Sequence, residues 1–85
     1  MNAEPTDRRR TREYRRKRSC LTEAQRLELD LVEERILSER AHPFRHSLAD
    51  GQVLDLSAYR ETGIAVTYRP SPDGNHLFVD FTIAE

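Results

Sequence analysis

From Gly63 to Ala84 two runs of alternating apolar and polar side chains flank a Pro- and Gly-containing turn, and no other stretch so narrows the fold. Ile64, Val66 and Tyr68 alternate with Ala65, Thr67 and Arg69, while Leu77, Val79, Phe81 and Ile83 alternate with Phe78, Asp80 and Thr82. A repeat of two predicts a pair of half-buried strands. Pro70 lacks the N–H that a ladder needs and closes the first run. Pro72, Asp73, Gly74 and Asn75 then supply a preset φ, a side-chain acceptor and a residue free to take positive φ. A third alternating run, Gln52 to Tyr59, follows the turn signal Ala49, Asp50 and Gly51. The link from Arg60 to Gly63 is short enough for an antiparallel connection, so residues 52–84 are expected to form a three-stranded antiparallel meander.

A long helix is predicted upstream, over about residues 23–40. Thr22 and Gln25 have capping-box spacing, Gly and Pro are absent up to Pro43, and strong helix formers dominate. Its apolar residues fall on two lines about 140° apart at 100° per residue. Ala24, Leu27 and Leu31 form one, Leu29, Val32 and Ile36 the other. The first is expected to cover the sheet. The second needs a neighbour, either a second copy in a homodimer or the ordered end of the N-terminal segment. The expected core is Leu27, Leu31, Leu54, Leu56, Ile64, Val66, Tyr68, Leu77, Val79, Phe81 and Ile83.

Charge divides the chain. Residues 1–18 hold eight bases, Arg8, Arg9, Arg10, Arg12, Arg15, Arg16, Lys17 and Arg18, against three acids, a net of +5. The remainder holds six bases and twelve acids, a net of −6. With only Met1, Ala3 and Tyr14 apolar, residues 1–18 are expected to be a disordered basic arm on a single small α+β domain, 19–85. A strand from Arg12 to Cys20, with Tyr14 turned inward, is the alternative. Arginine presents a fork to phosphate and stacks on bases, so all eight arm cations are candidate nucleic-acid contacts, directed to RNA or flexible single strands. Removing the arm is expected to abolish such binding and spare the fold; a solubilising tail, or a clamp onto the chain's own acidic helix, is the bland reading. With one cysteine, Cys20, no internal disulfide forms. The lack of a long apolar run predicts no membrane association and a cytoplasmic protein.

Few residues carry chemistry. His42 and His46 have helical ligand spacing, but Pro43 breaks it, so no metal site is expected and no cofactor is implied. Arg45, His46, Arg60, Arg69 and His76 are the set best suited to phosphodiester chemistry, and residues 60, 69 and 76 lie at or beyond strand ends, although spacing does not establish that they converge. Of these Arg60, Arg69 and His76 are the candidate catalytic set, a histidine to move protons and arginines to stabilise phosphoryl charge. Solvated strand-end charges are the competing reading.

The order of helix, turn and meander, with Gly63 to Tyr68, an Asp73–Gly74 turn and Leu77 to Ile83, resembles the RelE/ParE superfamily of toxin–antitoxin toxins over residues 22–84. The resemblance implies a small antiparallel sheet behind N-terminal helices and an antitoxin partner. It also implies either cleavage of messenger RNA on the ribosome, as an endoribonuclease, or poisoning of gyrase. Ala65 stands where the family commonly carries Arg, which leaves Arg60, Arg69 and His76 as substitutes in a degraded site. The expected function is a toxin-type module acting on RNA or the translation machinery. The alternative is a non-catalytic protein that binds nucleic acid through its arm and a protein partner through its sheet and acidic helix.

Overall fold

The computed structural model describes residues 8–38 and 43–84. Its elements run β1 (Arg9–Arg10), α1 (Arg12–Ser19), α2 (Glu23–Ser38), β2 (Arg45–Ser47), β3 (Val53–Asp55), α3 (Tyr59–Thr62), β4 (Ile64–Arg69) and β5 (Leu77–Ile83). The class is α+β, but the expected single helix on a three-stranded antiparallel meander is corrected. The sheet has five strands in the order β1-β5-β4-β3-β2, and β1 lies parallel to β5 while the other pairs are antiparallel. Two segments account for the extra strands and for the helix ahead of α2, and α3 is a further addition. Arg45 to Ser47 pairs with the short β3, and the segment expected to be disordered supplies both β1 and α1.

Thr11 is where the basic segment changes from strand to helix. Its N–H donates to the Phe78 carbonyl at 3.0 Å, extending the pairing with β5, and its hydroxyl accepts from the Tyr14 N–H at 3.2 Å. That side-chain cap starts α1, with Glu13 in the first turn and Arg16, Lys17 and Arg18 in the last, where the helix dipole favours each. After Cys20 and Leu21 the predicted capping box forms: Thr22 Oγ1 accepts from Gln25 N–H at 3.1 Å, and Gln25 Oε1 accepts from Thr22 N–H at 3.0 Å. Downstream, β4 and β5 occupy their predicted positions, and Gly74 takes a φ of 85° in the turn between them. The third strand is shorter than expected, because α3 begins at Tyr59 within the predicted run.

Alternation slips once in β5. Tyr68 lies opposite Phe78 and Thr67 opposite Asp80, which leaves Val79 without a counterpart on β4. Such a bulge shifts the phase of everything beyond it. Phe78 and Phe81 consequently share a face and join Ile64, Val66 and Tyr68 in the core, whereas Val79 and Leu77 are half-buried and lie outside it. Leu54 and Leu56 are also only half-buried. On the helix the stripes exchange roles. Leu29, Val32 and Ile36 are buried against Tyr14 and the sheet, and Leu27 and Leu31 are 59% and 67% exposed. The buried stripe includes Glu33, which reads as a polar interruption until the basic segment supplies its counter-charges. A homodimer through Leu29, Val32 and Ile36 is thus replaced by contacts within the chain.

One face of the sheet carries this core and both long helices. Register places Arg10, Phe78, Tyr68, Val53 and Ser47 in one row on that side. The opposite face, covered by neither α1 nor α2, carries Arg9, Leu77 and Arg69 in one row, with Thr67, Leu54 and His46 beside them.

Candidate nucleic-acid interface

The eight basic residues expected to form a free arm are sorted by the fold into two sets. At 100° per residue Arg12, Arg15, Arg16 and Ser19 lie within one arc of α1, and Lys17, Tyr14 and Arg18 lie in the opposite arc. Tyr14 is fully buried, with its ring 5.0 Å from Phe81 and 5.8 Å from Phe78, so it fixes which arc faces inward. Strand alternation sorts the preceding residues likewise. Arg10 points to the core side beside Phe78, and Arg9 to the open side beside Leu77.

The inward set is held by the chain's own acids. Arg10 grips Glu33 with Nε at 3.1 Å and Nη2 at 2.6 Å, Arg8 adds Nη1 at 2.9 Å, and the Tyr14 hydroxyl donates at 2.6 Å. Burial alone would raise the Glu33 carboxyl, but the bonds from Arg10, Tyr14 and Arg8 hold it below its ordinary value. Burial, then the neighbouring Glu33 carboxylate, pushes Tyr14 far above the ordinary range for tyrosine. Arg18 is bidentate on Asp30 at 2.8 Å to each oxygen, and Lys17 bridges Asp80 at 2.6 Å and the Phe81 carbonyl at 2.7 Å. Arg8, Arg10, Lys17 and Arg18 are therefore fastenings of the fold.

The outward set is different in kind. Arg9, Arg12, Arg15 and Arg16 are exposed. Arg15 reaches the carbonyl of Arg10 at 3.0 Å and Arg9 that of Asn75 at 3.4 Å; among the described residues neither makes an ion pair, and the Arg9 charge lies near enough to Asp73 to help lower its carboxyl. Arg16 pairs with Glu13 at 2.8 Å, a solvent-exposed pair of the kind that a phosphate displaces at little cost. Among the described residues Arg12 makes no ion pair.

The candidate catalytic residues do not converge. Arg60 lies in α3, before β4 begins, and Arg69 ends β4, which is about 17 Å long at a strand's usual rise. Arg69 stands on the open face, where its Nη1 lies 3.5 Å from the Asp50 carbonyl. His76 is on the other side, stacked on Tyr68 at 4.8 Å, and its Nδ1 accepts from the Ser71 N–H at 3.0 Å. Burial and the nearby Arg45 charge lower its pKa, so it is a neutral ring with the proton on Nε2 at neutral pH. It lines a hollow of about 500 Å³ with Leu37, Ser38 and Asp73, with neither arginine present. Arg45 is structural as well: its Nε donates to the buried Asp55 at 2.7 Å and its Nη2 to the Ile36 carbonyl at 2.9 Å. His46 is exposed on β2, and His42 lies outside the described residues. Among the described residues no group of three His, Cys, Asp or Glu side chains is placed to hold a metal ion, and no helix is long and apolar enough to cross a membrane. No protein-family model, curated protein or solved structure matches the chain.

The sorting of the arginines was only partly readable. Thr11 as a cap, Glu13 in the first turn and Tyr14 opposite Arg12, Arg15 and Arg16 together mark a two-faced helix. The partnership of Arg10 with Glu33, 23 residues away, has no local signature.

Proposed function

We propose that this chain is a non-catalytic nucleic-acid-binding module that grips the phosphate backbone of flexible single-stranded RNA through Arg9, Arg12, Arg15 and Arg16. The observation that carries the reading is the division of the basic segment. Acids neutralise its inner cations, while its outer cations are exposed, Arg12, Arg15 and Arg16 on one arc of α1 and Arg9 on the open face of the adjoining strand. Arginines on one helix face meet a sugar-phosphate chain as a row of forks, and a rigid row loses little entropy on binding. The dispersal of Arg60, Arg69 and His76 favours binding over cleavage. Four outer cations imply a slope of log affinity against log salt of about −3 on single strands, against about −6 if all eight took part. Titration of a labelled single-stranded RNA at several salt concentrations tests this. Replacing Arg12, Arg15 and Arg16 together by Gln should flatten the slope by about 2 and leave the melting temperature unchanged. An unchanged slope would remove α1 from the interface.

A toxin-type module related to RelE/ParE is the second reading. It is supported by the pair of helices ahead of the meander and by Arg69, Arg9 and His46 standing on the open sheet face. An antitoxin would then be the natural partner. Expression should arrest growth, and Arg69→Ala should relieve the arrest while the protein remains folded. Normal growth of cells accumulating the folded chain counts against it.

A further inference from the structure

The hollow of about 500 Å³ between the end of α2 and the β4–β5 turn takes no part in the phosphate contacts. Among the described residues Leu37 and Pro72 give it apolar walls, and Asp73 and His76 bring it an acceptor and a donor. Asp73 Oδ1 accepts from the Ser71 hydroxyl at 2.7 Å and from the Asn75 N–H at 2.9 Å, which fixes the carboxylate, while Oδ2 accepts nothing from the described residues. His76 is fixed as firmly. Its Nδ1 is occupied by the Ser71 N–H at 3.0 Å and its ring is stacked on Tyr68, so the proton-bearing Nε2 is left to donate. The same turn carries Asn75, whose carbonyl Arg9 reaches at 3.4 Å. A phosphate on Arg9 therefore has this hollow beside it.

The polar groups select the occupant. Unstacked bases of a single strand are read along their hydrogen-bonding edges. An ionised Asp is an acceptor only, so it favours an edge made of donors. Guanine presents two adjacent donors, N1–H and the N2 amine, followed by the acceptor O6. Adenine and cytosine set a ring-nitrogen acceptor beside their amine, and uracil flanks its single N3–H with two carbonyls, so each brings an acceptor against the carboxylate. Guanine offers Asp73 two donors and returns an acceptor to a neighbouring N–H.

We infer that this hollow is a nucleobase site selective for guanine, with Asp73 accepting from N1–H and the N2 amine, His76 Nε2–H donating to O6, and Arg9 holding the adjoining phosphate. The inference rests on the reading of the chain as a binder of single-stranded RNA, and it adds the base preference that a row of phosphate contacts lacks.

Fluorescence anisotropy at one fixed salt concentration tests it with three labelled strands: octauridylate, the same strand with guanosine in place of one uridine, and the same strand with inosine there. Guanosine should tighten binding about tenfold over octauridylate, and inosine, which lacks the N2 amine, should retain little of that gain. Asp73→Asn keeps an oxygen for the Ser71 and Asn75 donors but turns an amide N–H toward the base. It should erase the guanosine gain without weakening octauridylate binding, and it should keep the parent melting temperature, since Asp73 is exposed. Equal affinity for the three strands overturns the guanine site and leaves the arginine row standing, as does a guanosine gain that survives Asp73→Asn or the change to inosine. Failure of all three strands to bind removes both readings.

Discussion

The Tyr14 hydroxyl donates to Oε2 of Glu33 at 2.6 Å, so a residue from the basic segment completes the hydrogen bonding of a fully buried carboxylate on α2. Two arginines and a phenol surround that carboxylate, and each depends on it. Replacing Glu33 by Ala strands Arg8 and Arg10 in a site where their side chains are 13% and 9% exposed. Removing one partner of a buried pair costs about 3–5 kcal/mol, a large share of the ~5–15 kcal/mol of a typical domain. Tyr14→Phe is milder at about 1–3 kcal/mol, since both arginines still satisfy the carboxylate. Urea unfolding of the two variants should rank them in that order.

Acid and alkali should each weaken the fold through this cluster. The Glu33 carboxyl is held below its ordinary 4.5, so its contribution is complete above that pH and is lost as pH falls through the depressed value. Tyr14 is shifted upward, so its contribution is complete below pH 10 and declines as the unfolded phenol ionises above it. Burial raises Tyr68 too, so Tyr14→Phe removes only part of the alkaline decline. Glu33→Gln should flatten the acid limb. Melting temperatures measured across pH 2–11 read both limbs.

Deleting residues 1–18 should destroy the cooperative transition. The deletion removes β1, most of α1 and the buried Tyr14, and it leaves Glu33 charged and unpaired in an apolar layer. Urea unfolding of the truncated chain should show no sigmoidal melt. Loss of RNA binding after that deletion would report unfolding, so the interface must be mapped with Arg12, Arg15 and Arg16 substitutions in the full chain.

The bulge in β5 reverses what alternation implies for two neighbours. Phe78→Ala should cost about 3–5 kcal/mol, because the ring is fully buried against Tyr14 and Tyr68. Val79→Asp, at a half-buried position outside the core, should cost less. Chemical denaturation of both variants decides the phase of the strand. A greater loss for Val79→Asp would mean that β5 is regular.

Local chemistry was legible and distant pairing was not. The capping box at Thr22, the closing Pro70 and the turn at Gly74 are set by residues within a few positions, and each stands where the sequence puts it. The stripe of α2 that packs was decided by groups far along the chain. Leu29, Val32 and Ile36 form an inward face only because Arg8, Arg10 and Tyr14 arrive to satisfy Glu33 among them. A bulge is equally silent, since Val79 is as good a strand residue as its neighbours. As for the candidate site, its cations were visible, but which of them face water depended on the same distant acids.

The hydrogen bond from Thr11 to the Val79 carbonyl joins positions 68 residues apart, and it sets an order in time. On the ribosome, at about 5–20 residues per second, the segment carrying Arg8 to Arg18 waits about 3–14 s for the strand that will dock it. The hairpin of β4 and β5 closes over a short loop and can form early, whereas the parallel β1–β5 pairing carries the largest loop-closure cost in the molecule. Docking of the basic segment is therefore expected to fall on the native side of the folding barrier. Substitutions at Arg10 should speed unfolding and leave refolding almost untouched, a division that stopped-flow urea jumps resolve.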